Sequence, residues 1–138
     1  MMDATALIQA IQSREMSASE AVANALHQAK TTTSLGAFLS LQEETALEQA
    51  SQLDGDGGQA ASGRLAGLPI AVKDNITQAN APCGCGSQML SGFTSPTSAT
   101  ALDRLVTAGA IPIGRTNMDE FGMGSSGEHS AWPRRTAP

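Results

Sequence analysis

The sequence has no tyrosine, and aromatic residues make up only 3% of its 138 positions. Proteins that hold single-stranded nucleic acid stack bases on aromatic rings, and this chain has too few rings for that. Its core must come from Ala, Leu, Ile, Val and Met, which suit helices packed closely on a sheet. Positive charge is also scarce: eight Lys and Arg stand against thirteen Asp and Glu, a net charge of −5. A phosphate-binding surface needs clustered Lys and Arg, so a nucleic-acid-binding face is excluded. The two cysteines, Cys83 and Cys85, form a C-x-C pair too tight to clip distant segments together. That excludes a disulfide scaffold and fits a reducing cytoplasm. No apolar run is long enough for a transmembrane helix. The start, Met1-Met2-Asp3-Ala4-Thr5, lacks the basic and apolar blocks of a secretory signal. Neither a phosphate loop nor an internal repeat is present.

What is there can fold. The apolar fraction is 41% and the charged fraction 15%, enough to bury a core, in a length that suits one domain or a piece of a larger one. Ala4, Leu7, Ile8 and Ile11 have helical spacing over residues 3–12. Ser17-Ala18-Ser19-Glu20 reads as a capping box, with Ser17 as N-cap and Glu20 reaching back. The helix it opens runs through Val22, Ala25, Leu26 and Ala29 and breaks at Thr31-Thr32-Thr33. A short strand is predicted over Leu35–Leu41, then a helix over Glu43–Leu53. Residues 54–63, rich in glycine, read as a surface loop.

Beyond that loop the pattern changes. Leu68-Pro69-Ile70-Ala71-Val72 reads as a strand buried on both faces. Ser98 is placed to cap a helix through Leu102, Leu105 and Val106 that stops at a left-handed Gly109. Ala110-Ile111-Pro112-Ile113 is a second strand, ended by Gly114, with Pro112 near an edge or strand start. Strand, helix, strand makes a right-handed βαβ unit and an α/β fold class.

Lys73 is the main candidate for chemistry. It follows the first of these strands, at the carboxyl end where open α/β sheets bind ligands. A partly desolvated lysine there can serve as a proton acceptor. Spacing alone favours a plainer role, a lysine paired with Asp74 or another carboxylate. Asp74 and Asn75 read as residues that fix the turn after the strand. Cys83 and Cys85 have only His27 and His129 as further soft ligands, far apart in sequence, so no metal site is predicted. Asp119 and Glu120 are adjacent and do not form a working carboxylate pair. Ser125 and Ser126 lie in a Gly-rich loop whose backbone N–H groups could hold a carbonyl or carboxylate, although a plain surface turn fits equally well.

Two blocks go beyond spacing. Gly63-Arg64-Leu65-Ala66-Gly67-Leu68-Pro69-Ile70-Ala71-Val72-Lys73-Asp74-Asn75-Ile76 resembles the lysine segment of the amidase signature family. The stretch from Ala108 to Ser126, with Thr116-Asn117-Met118-Asp119-Glu120-Phe121 and then Met123-Gly124-Ser125-Ser126, resembles the family's next block. Its wording is similar to the branch of tRNA-dependent amidotransferase A subunits, which act on glutamyl-tRNA(Gln) or aspartyl-tRNA(Asn). The resemblance covers about residues 3–132. It implies the N-terminal part of the amidase signature fold, helices on a mixed sheet that is incomplete in this chain. It implies that Lys73 is the base of a Ser–Ser–Lys triad and that Met123, Gly124, Ser125 and Ser126 line the substrate pocket. An acyl-enzyme would form on the nucleophilic serine as ammonia leaves. It also implies glutamine as substrate, subunits B and C as partners, tRNA met only through the complex, no membrane, and a cytoplasmic setting. No cofactor is implied in this chain; ATP and Mg belong to a partner subunit.

The sequence departs from the family in places. No serine here matches the bridging or the nucleophilic serine, whose segments would lie beyond Pro138, so the chain reads as truncated and inactive alone. Fragment of a general small-amide amidase, or a non-catalytic remnant, are the alternatives. Gly127 and His129 stand where the family has Thr or Asn and Asn, and Ala81–Ser87 is an unusual wording. The expected layout is residues 1–132 as amidase and 133–138 as a non-matching tail. One restored base after the Trp132 codon would write Ala-Pro-Thr-His-Arg-Pro, close to the family's continuation, so the tail reads as out of frame.

Overall fold

The computed structural model describes residues 2–55 and 63–132. Most of the expected 54–63 loop and the whole 133–138 tail lie outside the described residues. Helix α1 (Ala4–Gln12) opens where Asp3 accepts the Ala6 N–H at 2.8 Å. Helix α2 (Ala18–Thr31) opens at Ser17, whose hydroxyl accepts the Glu20 N–H at 3.0 Å. Glu20 does not close the box. Instead Asp54, at the end of helix α3 (Glu43–Gly55), accepts the Ala18 and Ser19 N–H groups at 2.8 and 3.0 Å. Partial burial works to raise the Asp54 pKa, but its hydrogen bonds with Ser19 and Ala18 outweigh this and hold it below the ordinary value.

The predicted strand at 35–41 is shorter than expected. A 3-10 turn occupies Thr33–Leu35, and strand β1 covers only Phe38–Leu41. Strand β2 (Pro69–Lys73), helix α4 (Thr100–Thr107) and strand β3 (Ile111–Thr116) form the expected βαβ unit. Sheet order is β1-β3-β2, with β3 parallel to β2 and antiparallel to β1. This order corrects one expectation. Strand β2 lies at the sheet edge and fully buries only Val72, whereas the central β3 buries Ile111 through Arg115. Pro112 tolerates its central strand because β1 pairs only with Gly114–Thr116, so on that side it forfeits no ladder bond. Gly114 does not end β3: a Cβ there would sit 2.4 Å from the Ser40 carbonyl, so its absence lets the two strands meet.

The core is built from small and aliphatic side chains. Ala18, Ala21, Val22 and Leu26 of α2 meet Ala46 and Ala50 of α3, over Ile111 and Ile113 of β3. Alanines let the helices approach the sheet closely, as the shortage of aromatics requires. Helix α4 stops at Gly109 with φ of 101°, as predicted, but its N-cap is Ala99. The Ser98 hydroxyl accepts the Ala79 N–H instead, at 3.0 Å. Only Leu102 of α4 is buried; Leu105 and Val106 face outward.

Candidate active site

The carboxyl end of β2 is fixed by a buried ion pair. Asp74, next after the strand, approaches Arg115 of β3, with Oδ1 3.6 Å from Nε. Both side chains are almost wholly buried. The other Asp74 carboxylate oxygen accepts the Gly84 and Gly86 N–H groups at 3.1 and 3.2 Å. Arg115 donates from Nη2 to the Lys73 and Ile76 carbonyls at 3.2 and 2.7 Å. Its Nε and Nη1 have no hydrogen-bond partner among the described residues. Asp74 therefore fixes its turn through backbone ten and twelve residues away, and Arg115 takes the partnership that spacing offered to Lys73. Among the described residues Lys73 itself makes no ion pair, and its side chain is exposed.

The loop after β3 is also held by side chains that bind backbone. The Asn117 amide donates to the Gly36 and Trp132 carbonyls at 3.3 and 2.6 Å, and its oxygen accepts the Met118 N–H and the Ser130 hydroxyl. The Asp119 carboxylate accepts the Gly127 and His129 N–H groups at 2.9 and 2.8 Å. Those two bonds hold its pKa below the ordinary value. Glu120 turns the other way and accepts the Ser87 hydroxyl. The adjacent acids thus serve two loops, and no carboxylate pair forms.

Between these parts lies a cavity of about 270 Å³ lined by Lys73, Asn117, Met118, Asp119, Gly122 and Gly124–Gly127. It brings Lys73 together with Gly124, Ser125 and Ser126. Met123 is not among the lining residues and lies exposed. A lysine amine beside two hydroxyls and the backbone of a Gly/Ser loop can move a proton and hold a carbonyl or carboxylate oxygen. Cys83 is buried and donates its thiol to the Asp74 carbonyl; burial raises its pKa, with Cys85 adding to the effect. Among the described residues no cluster of His, Cys, Asp or Glu could hold a metal ion. Sequence reading missed Arg115 and Asn117. The available signal for Arg115 was a charged residue inside an otherwise apolar strand, paired with Val72 two residues before an acid.

The family model for Amidase matches residues 20–138. The A subunit of glutamyl-tRNA(Gln) amidotransferase from Symbiobacterium thermophilum is 43% identical over 135 residues, 96% of this chain and 28% of that protein. A crystal structure of an amidase superposes with a TM-score of 0.83 at 29% identity, over 95% of this chain and 30% of that one. The A subunit of glutamyl-tRNA(Gln) amidotransferase from Thermotoga maritima superposes with a TM-score of 0.66 at 27% identity, over 91% and 25%. The chain spans less than a third of the length of each of these proteins.

Proposed function

The chain belongs to the amidase family, and we propose that it corresponds to the N-terminal portion, residues 1–132, of a glutamine-hydrolysing amidotransferase A subunit. The observation that carries this reading is the shared cavity: Lys73 and the Gly124–Ser126 wall, from two motif blocks, line the same space. In this reading Lys73 takes a proton, through a bridging serine, from the serine that attacks glutamine. Gly124, Ser125 and Ser126 position the amide, and Met123, expected on the same wall, is left without a role in the cavity. Neither triad serine has a counterpart among these residues, so the chain alone releases no ammonia from glutamine. Subunits B and C would complete the complex, with ATP and Mg held by a partner and tRNA reached through the assembly. The setting would be the cytoplasm; among the described residues no helix is long and apolar enough to cross a membrane.

A second reading, a general small-amide amidase, is favoured by shape, since the amidase structure superposes better than the Thermotoga protein. Shape is shared across a family with many substrates, whereas the 43% identity is to an amidotransferase. One experiment separates the two: residues 3–132 replace the matching stretch of the Symbiobacterium protein, and ammonia release is measured. We expect glutamine-dependent release, lowered about 10²–10⁴-fold in kcat by Lys73→Ala. A chimera active on glutamine but indifferent to Lys73→Ala overturns the assignment. Release from simple amides and not from glutamine supports the second reading.

A further inference from the structure

Arg115 is the largest fully buried side chain among the described residues, and it is charged. A guanidinium in a strand otherwise made of Ile, Pro, Gly and Thr is costly to bury unless its contacts compensate. Its Nη2 reaches two carbonyls on the neighbouring segment, Lys73 and Ile76, which bracket the turn after β2. Its Nε faces Asp74 within the same turn. Asp74 in turn holds the Gly84 and Gly86 N–H groups, and its carbonyl accepts the Cys85 N–H at 3.2 Å. That loop grips the far wall of the cavity. The Cys85 carbonyl accepts the Phe121 N–H at 2.9 Å, and the Gly86 carbonyl accepts the Ala131 N–H at 2.8 Å. These two grips flank the segment that carries Ser125 and Ser126.

We propose that Arg115 is a positioning residue for Lys73: its buried guanidinium fixes the Lys73–Ile76 turn and, through Asp74, sets that turn against the wall bearing Ser125 and Ser126. The planar group suits the task because Nη2 serves both carbonyls while Nε is turned toward the Asp74 carboxylate at 3.6 Å. The proposal deepens the functional reading and rests on Lys73 being the working residue of the cavity.

The test uses the full chain and no activity. The protein has two lysines, Lys30 and Lys73. Lys30 sits on the surface, paired with Glu43 at 2.6 Å, and provides an internal control. Reductive methylation with ¹³C-formaldehyde gives each lysine its own NMR signal, assigned with Lys30→Arg. In Arg115→Gln and Arg115→Met, the Lys73 signal is expected to move by more than its line width and to sharpen, with the Lys30 signal unmoved. Arg104→Met, on exposed α4, is expected to move neither. The double variant Asp74→Asn/Arg115→Met avoids leaving a buried carboxylate unpaired. An unmoved Lys73 signal in any folded variant lacking the guanidinium overturns the proposal. Unfolding of all three variants also overturns it, because the arginine then serves the fold and not Lys73 in particular. A Lys73 signal that moves as expected, together with a chimera indifferent to Lys73→Ala, would sink the functional reading alone.

Discussion

The two halves of this molecule are held together by different physics. Helices α1–α3 close on β3 through Ala, Val, Leu and Ile, and the contacts buried there are apolar and non-directional, the polar bonds from Asp54 and Lys30 lying nearer the surface. Around the cavity the reverse holds. Every buried polar or charged residue of the described chain, Asp74, Ser87, Ser95, Arg115 and Asp119, lies between positions 74 and 119. Most of them bind backbone of a loop remote in sequence. An apolar core tolerates changes of shape at similar volume. A network of buried polar groups loses its whole arrangement when one partner goes. The site has been given the stiffer and less forgiving material.

The sharpest way to break the contrast is at Asp74. Asp74→Ala leaves Arg115 as an uncompensated buried charge, a loss of about 3–5 kcal/mol. We expect the urea midpoint to fall accordingly, and Asp74→Ala/Arg115→Met to recover part of the fall. A single variant with an unchanged midpoint would show that the pair is idle. In the helical half, Leu26 is 2% exposed. Leu26→Ala is expected to cost about 3 kcal/mol, and Leu26→Met less than about 1.5 kcal/mol. Equal losses for both would mean the core is as shape-specific as the site.

The smallest effect is local and set by pH. The folded pKa of Asp119 lies below its ordinary value, so its ionised form stabilises the loop at neutral pH. That contribution is present above the unfolded value of about 3.9 and is lost as pH falls through the lower folded value. The protection factors of the Gly127 and His129 amides, exchange measured against the intrinsic rate at each pH, should therefore fall in acid before those of α2 do. Asp119→Asn should remove that acid sensitivity. Simultaneous loosening of α2 and the loop, with no change in Asp119→Asn, would contradict this account.

The helical half was legible because periodicity is a local signal. Leu7, Ile8 and Ile11, then Val22, Leu26 and Ala29, announce their helices, and Ser17 announces where the second begins. The βαβ unit was legible for the same reason. The sheet order was not, because an apolar run looks alike at an edge and in the centre. That is why β2 was expected to be buried on both faces and β3 proved to be the buried strand. At the site, the wording of two motif blocks drew attention to Lys73 and residues 123–126. The residues that join those blocks stayed hidden. Asp74 reaches Gly84 and Gly86, and Asp119 reaches Gly127 and His129, only after the loops have folded back. Such bonds carry no period along the chain.

The central place of β3 has a consequence for how the protein is made. Strand β1 pairs Leu41 with Gly114 and Phe38 with Thr116, so about seventy residues must be synthesised before its partner exists. At ribosomal rates that interval is roughly 4–15 s. Through it β1 waits with both edges open, while α2 and α3 can already close on each other beside it. Nascent chains arrested before Thr116 should be cut by protease at Phe38–Leu41, and chains released beyond it should not. Strand β3, the latest of the described strands to emerge, is the one that joins the other two into a sheet beside the helices.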